Sequence, residues 1–290
     1  MEPRTEVEAP GAEEPDAVTS AAVKDVASRF SDRVLMTVPI RKNQKLGTLM
    51  DAVNADDDLY GLWTAANVTA IERLKMTDHG PVHVKIVMNI GVKMLRLLND
   101  AGVEPAVVRD YGLSRHDAEI VVAMASLLHD VGMSIHRADH ESFSLFIADR
   151  KLRELLPLVY DGPTATIIRS DILHAIIGHR SGGSPLTLEA GVVRISDALD
   201  MARGRSRIPF EAGSMSIHSI SAAAIDRVSI EKGEGKPVRI VIDITNSAGI
   251  FQLDQLFRKK LRGSGIEQYL EVKGKLEGDT EKRLMTEYNL

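Results

Sequence analysis

The chain has 290 residues, 44% apolar and 27% charged, an ordinary balance for one large folded domain or two smaller ones with a sizeable core. Lys and Arg total 36 against 41 Asp and Glu, a net charge of −5, and only 4% of residues are aromatic. That argues against a general nucleic-acid surface or base-stacking platform and favours helices over a β-sandwich. The absence of Cys excludes disulfides, thiolate zinc sites, iron–sulfur clusters and a cysteine nucleophile, so any metal must rest on His, Asp and Glu.

Residues 1–20 are rich in Glu, Pro, Ala and Asp and lack large apolar residues beyond Val, which predicts a disordered acidic tail. From residue 45 to 207 the pattern is almost continuously helical, a predicted all-α domain. Asp57–Met76 carries Leu59, Leu62, Trp63, Ala66, Val68, Ile71 and Leu74 at three- and four-residue steps. Gly80-Pro81 opens the next helix, running through His83, Val87, Ile90, Met94 and Leu98. Ser114 and Asp117 have capping-box spacing and start a very apolar helix that ends at His129-Asp130-Val131-Gly132. Shorter helices are predicted at Glu141–Asp149, Leu152–Val159, Thr164–Gly178 and Leu186–Met201.

After Pro209 the texture changes. Val228–Glu231 and Val238–Thr245 alternate as strands around a Gly-containing turn, Gly249–Leu261 reads as a helix stopped by Gly263-Ser264-Gly265, and Tyr269–Leu276 is a further strand. The expected fold is α+β: a helical core followed by a small β-β-α-β unit over 210–290. No run reaches the ~18 apolar residues of a membrane span. No basic-then-apolar pattern opens the chain, so a cytoplasmic protein without a membrane partner is expected.

Of the nine His, His79, His83, His129, His136, His140, His174 and His179 sit at ends or faces of predicted helices, as does Asp197. Adjacent His and Asp diverge along a regular helix, but at a helix terminus both can turn toward one cation. A carboxylate beside an imidazole suits a divalent transition metal. His83 and Asp197 can join from other helices, as ligands do in helical bundles. His174 and His179, five apart, lie roughly 140° apart around a helix, so both can ligate only if the helix ends or bends near Gly178, and otherwise one of them orients a ligand instead. Asp200 reads as a partner that orients an imidazole or arginine. His116 and His218 read as surface residues.

Five spaced elements now stand in order: H-x-x-x-V at His83–Val87, L-L-H-D-V-G at Leu127–Gly132, D-H-x-x-x-S at Asp139–Ser144, I-I-x-H-R at Ile176–Arg180 and V-x-R-I-S-D-A-L-D at Val192–Asp200. In these the chain resembles the HD-domain superfamily of metal-dependent phosphohydrolases. The resemblance implies His83, His129, Asp130 and Asp197 as ligands of a first metal. His140, His174 and His179 occupy the interval that supplies a second ion in two-metal members. Asp130 and His129 would be central to catalysis, with two divalent ions (Mn, Fe or Co) as cofactors. The Gly-Tyr-Pro motif of the cyclic-di-GMP branch is absent, and Met133 follows the HDVG run where that branch has Lys.

The expected activity is that of a phosphodiesterase acting with activated water on a small nucleotide-like or cyclic phosphodiester, with no protein nucleophile. Arg203, Arg205 and Arg207 are candidate contacts to the substrate's phosphate. Lys259, Lys260 and Arg262 read instead as a basic helix end. The alternatives are a phosphomonoesterase or nucleotidase, and a non-catalytic ligand-sensing module that forms a homodimer through the C-terminal unit.

Overall fold

Polar side chains placed just ahead of apolar stripes cap several of the helices. In the computed structural model, which describes residues 26–31, 33–180, 182–201, 224–276 and 287–289, the chain divides into two units, Met1–Arg33 and Val34–Leu290. Of the first, a short helix α1 (Val26–Ser31) is described, with Ser31 Oγ donating to the Ser28 carbonyl at 2.9 Å. The tail predicted over 1–20 and the domain boundary predicted at 207–210 lie outside the described residues.

In the second unit, Asn43 caps α2 (Gln44–Ala55) and Asp56 caps α3 (Asp57–Asn67), each side chain accepting a backbone N–H of the first turn. The stripe predicted to Met76 leaves α geometry at Val68, where a π turn (Val68–Arg73) takes over. Pro81 occupies the first position of α4 (Pro81–Asp100), where its missing N–H costs nothing. Helix α5 (Ala106–Tyr111) has a cap from far away in sequence. Glu189 accepts the N–H groups of Ala106 and Val107 at 3.1 Å each, which no local pattern announces.

Helix α6 (Arg115–Leu128) opens with the reciprocal Ser114–Asp117 capping box. Every residue from Asp117 to Leu128 is buried, which makes α6 the central helix of the core. Helix α4 lies against it so closely that a Cβ on Gly91 would come 2.8 Å from Val122 Cγ1. The same pair of helices shares a buried two-pronged bridge, Arg96 to Glu119, at 2.7 and 2.9 Å. From α3, Trp63 Nε1 donates to the Leu127 carbonyl at 2.8 Å and pins the end of α6. The two short helices predicted between Glu141 and Val159 form one longer α7 (His140–Leu155) and a 3-10 turn, followed by α8 (Gly162–Gly178) and α9 (Leu188–Leu199).

The C-terminal sheet has the order β1 (Ile225–Lys232), β2 (Val238–Ile244), β3 (Leu270–Leu276), β4 (Glu287–Asn289). Strands β1 and β2 form the expected antiparallel hairpin; β2 and β3 are parallel, joined across α10 (Ala248–Phe251), a π turn and α11 (Arg258–Leu261). The sequence reading lacks β4, so the unit is β-β-α-β-β. Strand β2, inside the sheet, is buried at nearly every position rather than alternating. Helical core and sheet belong to the same unit, with β1 and β2 against α4 and α11 against α9.

Asp117 ties the first turn of α6 to its surroundings. It accepts from Tyr160 at 2.6 Å and Lys45 at 2.9 Å as well as from Ser114. Burial pushes this carboxyl up, but the hydrogen bonds of Tyr160, Lys45 and Ser114 outweigh it and hold the pKa at about 2. A depressed carboxylate contributes stability above its unfolded pKa of 3.8, and that stability is lost as pH falls toward 2. D117N is expected to unfold at lower urea at pH 7, by on the order of 1–2 kcal/mol after screening at exposed Lys45. The gap to wild type should close by pH 2; a gap independent of pH would refute the assignment.

Candidate metal centre

The buried helix α6 delivers His129 and Asp130 into the protein interior. Helical geometry stops at Leu128, and Asp130 (φ −108°, ψ 6°) enters a 3-10 turn, Val131–Ser134, so both side chains face the same point. Met133, the residue after HDVG, packs against Ala66 and Ala70. The turn is docked on α7 by Ser144, whose Oγ accepts from Gly132 N at 2.9 Å and donates to the His129 carbonyl at 2.6 Å.

Around Asp130 the expected ligands arrange themselves in two sets. Asp130 Oδ2 lies 3.3 Å from His83 Nε2 and 3.2 Å from His129 Nε2, and Asp197 Oδ1 is 3.7 Å from both imidazoles. Asp130 Oδ1 lies 3.1 Å from His140 Nε2 and 3.6 Å from His179 Nε2. Two groups of potential metal ligands therefore share Asp130: His83–His129–Asp130 and Asp130–His140–His179, all buried.

Every imidazole in the cluster is oriented by its other nitrogen. His83 Nδ1 donates to Asp200 Oδ2 at 2.6 Å, the orienting role expected of Asp200. Nδ1 of His129 faces the Ser126 carbonyl at 2.8 Å, and that of His179 the Ile176 carbonyl at 2.5 Å. His140 Nδ1 sits 3.0 Å from the Arg137 carbonyl and 3.1 Å from the Glu141 carboxylate, with an Arg137 guanidinium nitrogen at 2.8 Å. A proton held at Nδ1 leaves the Nε2 lone pair as the donor to a metal. Nitrogen and carboxylate donors that converge while their outer atoms are tied down fit a divalent transition ion.

The electrostatics point the same way. Burial pushes the Asp130 carboxyl up, but the His129 charge and hydrogen bonds from His129, His140 and His83 hold it well below the usual range. Asp197 is likewise depressed against burial, chiefly by the Lys260 charge and by His129. Burial disfavours charge on His129, yet Asp130 and Asp197 raise its pKa to about 10. His179, buried and facing the His129 charge, falls to about 3. Two carboxylates held ionised in a buried space, against the His129 charge and the Lys260 ammonium, suit a site for a cation.

His174 is the expected ligand that does not join either group. On α8 its Nε2 accepts the Leu186 N–H at 2.9 Å, while His179 just past the end of that helix turns inward. Of the two histidines five residues apart, His179 alone reaches the Asp130 cluster. Arg203, Arg205 and Arg207, and His218, lie outside the described residues. His136 and His116 are exposed, and His79 Nδ1 binds the Thr77 carbonyl beside His83, ring centroids 5.5 Å apart. Sequence reasoning missed Lys260, whose Nζ is 3.2 Å from Asp197 Oδ2. No spacing rule links it to the ligands, since the sheet unit brings it there.

The HD domain family matches residues 82–202, a range that holds the converging His and Asp side chains found among the described residues. The chain is also 40% identical over 212 residues, 73% of its length and 82% of the relative's, to the uncharacterised protein MJ1020 of Methanocaldococcus jannaschii. No solved structure matches. The chain belongs to the HD-domain superfamily of metal-dependent phosphohydrolases. Among the described residues no helix is long and apolar enough to cross a membrane.

Asp200 gives a direct test of the orienting partners. D200N keeps the size of the side chain but replaces a charged acceptor for His83 Nδ1–H. Metal affinity is expected to fall about 10–100-fold with the melting temperature little changed. Unaltered affinity in a competition titration would show that His83 is held by packing alone.

Proposed function

We propose that this chain is a phosphodiesterase acting on a small nucleotide-like or cyclic phosphodiester. His83, His129, Asp130 and Asp197 would hold one divalent ion, and Asp130, His140 and His179 a second. The single observation that carries this reading is the division of the Asp130 carboxylate, one oxygen toward His83 and His129 and the other toward His140 and His179. The imidazole-rich donor set suits Mn, Fe or Co better than Mg.

A pair of such ions supplies an activated water and offsets charge on the phosphoryl oxygens. The protein's part is positional. The Nδ1 contacts to Ser126, Ile176, Arg137 and Asp200 fix four rings, so no side chain reorganises as charge develops on phosphorus. Asp130 and Asp197 lower the charge of the loaded centre, which lets product leave. A purely structural metal would be caged on all sides. Among the described residues, Asp197 keeps 17% of its side-chain surface exposed while the four imidazoles and Asp130 keep 0–6%, so the cluster is open beside Asp197, which favours catalysis over the sensing reading.

Purified protein loaded with manganese or cobalt should turn over bis(p-nitrophenyl) phosphate and cyclic nucleotides faster than p-nitrophenyl phosphate. Preference for the monoester would make it a phosphatase. No turnover of any of them, with metal bound, would leave a sensing module as the better account.

A further inference from the structure

Among the described residues, Asp197 and Lys260 stand together at the partly exposed side of the centre, with 17% and 22% of their side-chain surfaces exposed. Lys260 belongs to α11 of the C-terminal unit, outside the residues matched to the HD family. Its Nζ donates to the His179 carbonyl at 2.5 Å and to Asp197 Oδ2 at 3.2 Å. It thus contacts a residue of each ligand set.

The placement is built, not incidental. Arg194 of α9 donates from Nε to the Lys260 carbonyl at 3.0 Å. Its Nη1 reaches the carbonyls of Gly178, Arg180 and Gly183 at 3.3, 2.5 and 3.0 Å. One buried guanidinium therefore binds the backbone of Lys260 to the loop that carries His179. Gly191 of the same helix is so close to the chain after α11 that a Cβ there would come 2.5 Å from the Ser264 carbonyl.

An ammonium carries three N–H donors, and the two acceptors above take two of them. Asp197 turns Oδ1 to His83 and His129 and Oδ2 to Lys260. When the Asp197 charge is committed to a cation, the lysine remains as a fixed positive group at the side from which an anion must enter. We propose that Lys260, supplied by the C-terminal unit, is a substrate-binding residue that receives a phosphoryl oxygen at this edge. The proposal rests on the phosphohydrolase reading above, and it makes the α/β unit part of the site rather than an appendage.

Full-length wild type, K260M and K260R, each loaded with manganese, are compared by calorimetric titration with inorganic phosphate, with bound manganese counted in every sample. K260M should keep the wild-type manganese content and lose about tenfold or more in phosphate affinity, while K260R stays within about threefold. On any diester that is turned over, K260M should raise KM more than it lowers kcat. If K260M fails to fold, K260Q, which keeps two N–H donors but not the charge, takes its place. Phosphate binding unchanged in K260M overturns the proposal. Loss of manganese from K260M also overturns it, because Lys260 would then be positioning Asp197. Weakened phosphate binding in a protein that hydrolyses no ester would support Lys260 as the anion contact and remove only the hydrolase reading.

Discussion

Replacing Asp130 with Ala is expected to remove one bound ion entirely, loosen the other and reduce phosphodiester turnover by at least about a thousandfold. Among the described residues, Asp130 is the side chain shared by the two groups, one oxygen facing each. Without it the second set keeps only the imidazoles of His140 and His179, too few donors for a stable site. The first keeps His83, His129 and Asp197 but loses half of its carboxylate charge. H140A makes the contrast, since it should cost the second ion alone. Elemental analysis of the dialysed proteins reads both results. In the metal-free protein, His129 should also titrate well below its value of about 10 once the Asp130 charge is gone, visible by NMR. Full metal content and unchanged turnover in D130A would refute the bridging role.

Gly132→Ala is expected to be the most disruptive substitution of a residue that carries no functional group. A Cβ at this position would overlap the His140 carbonyl oxygen and sit 2.5 Å from Ser144 N. Both are backbone atoms at the start of α7, so no rotamer change relieves the clash. Either the HD turn lifts away from α7 or the helix retreats, and both routes break the Gly132–Ser144–His129 hydrogen-bond relay. The cost should be about 3 kcal/mol from overpacking, more if the Ser144 hydroxyl is left unpaired. Because His129 and Asp130 ride on this turn and His140 on the helix, metal binding should suffer with stability. Gly182, with nothing within 4 Å of a Cβ, is the matched control, and G182A should melt as wild type does. A G132A protein that melts normally and retains its metal would contradict the packing described here.

Most of the side chains that converge on Asp130 could be read from the chain because coordination chemistry restricts residue types and helix geometry restricts spacing. His83, His129, Asp130, His140, His179 and Asp197 all converge, and Asp200 orients His83. The helices with local caps, such as α4 behind Gly80-Pro81 and α6 behind Ser114, also start where the sequence places them. Where partners are distant, the local pattern has nothing to report. Helix α5 takes its cap from Glu189, β4 joins the sheet by pairing with β3, and the predicted pair of helices after Glu141 fuses into one.

The same division holds at the centre itself. Residue type and spacing were enough to nominate His174 beside His179, because both are imidazoles near one helix end. The choice between them depends on where α8 terminates and on the Leu186 amide that occupies His174 Nε2, which are properties of the folded chain. Lys260 is the converse case: as a sequence it is a basic helix end, and it faces Asp197 because α11 packs on α9 and Arg194 holds its backbone there. Short-range patterns carry chemical identity and local geometry. Which atoms finally meet is set by long-range packing, since contacts between residues far apart in the chain leave no periodic trace in it.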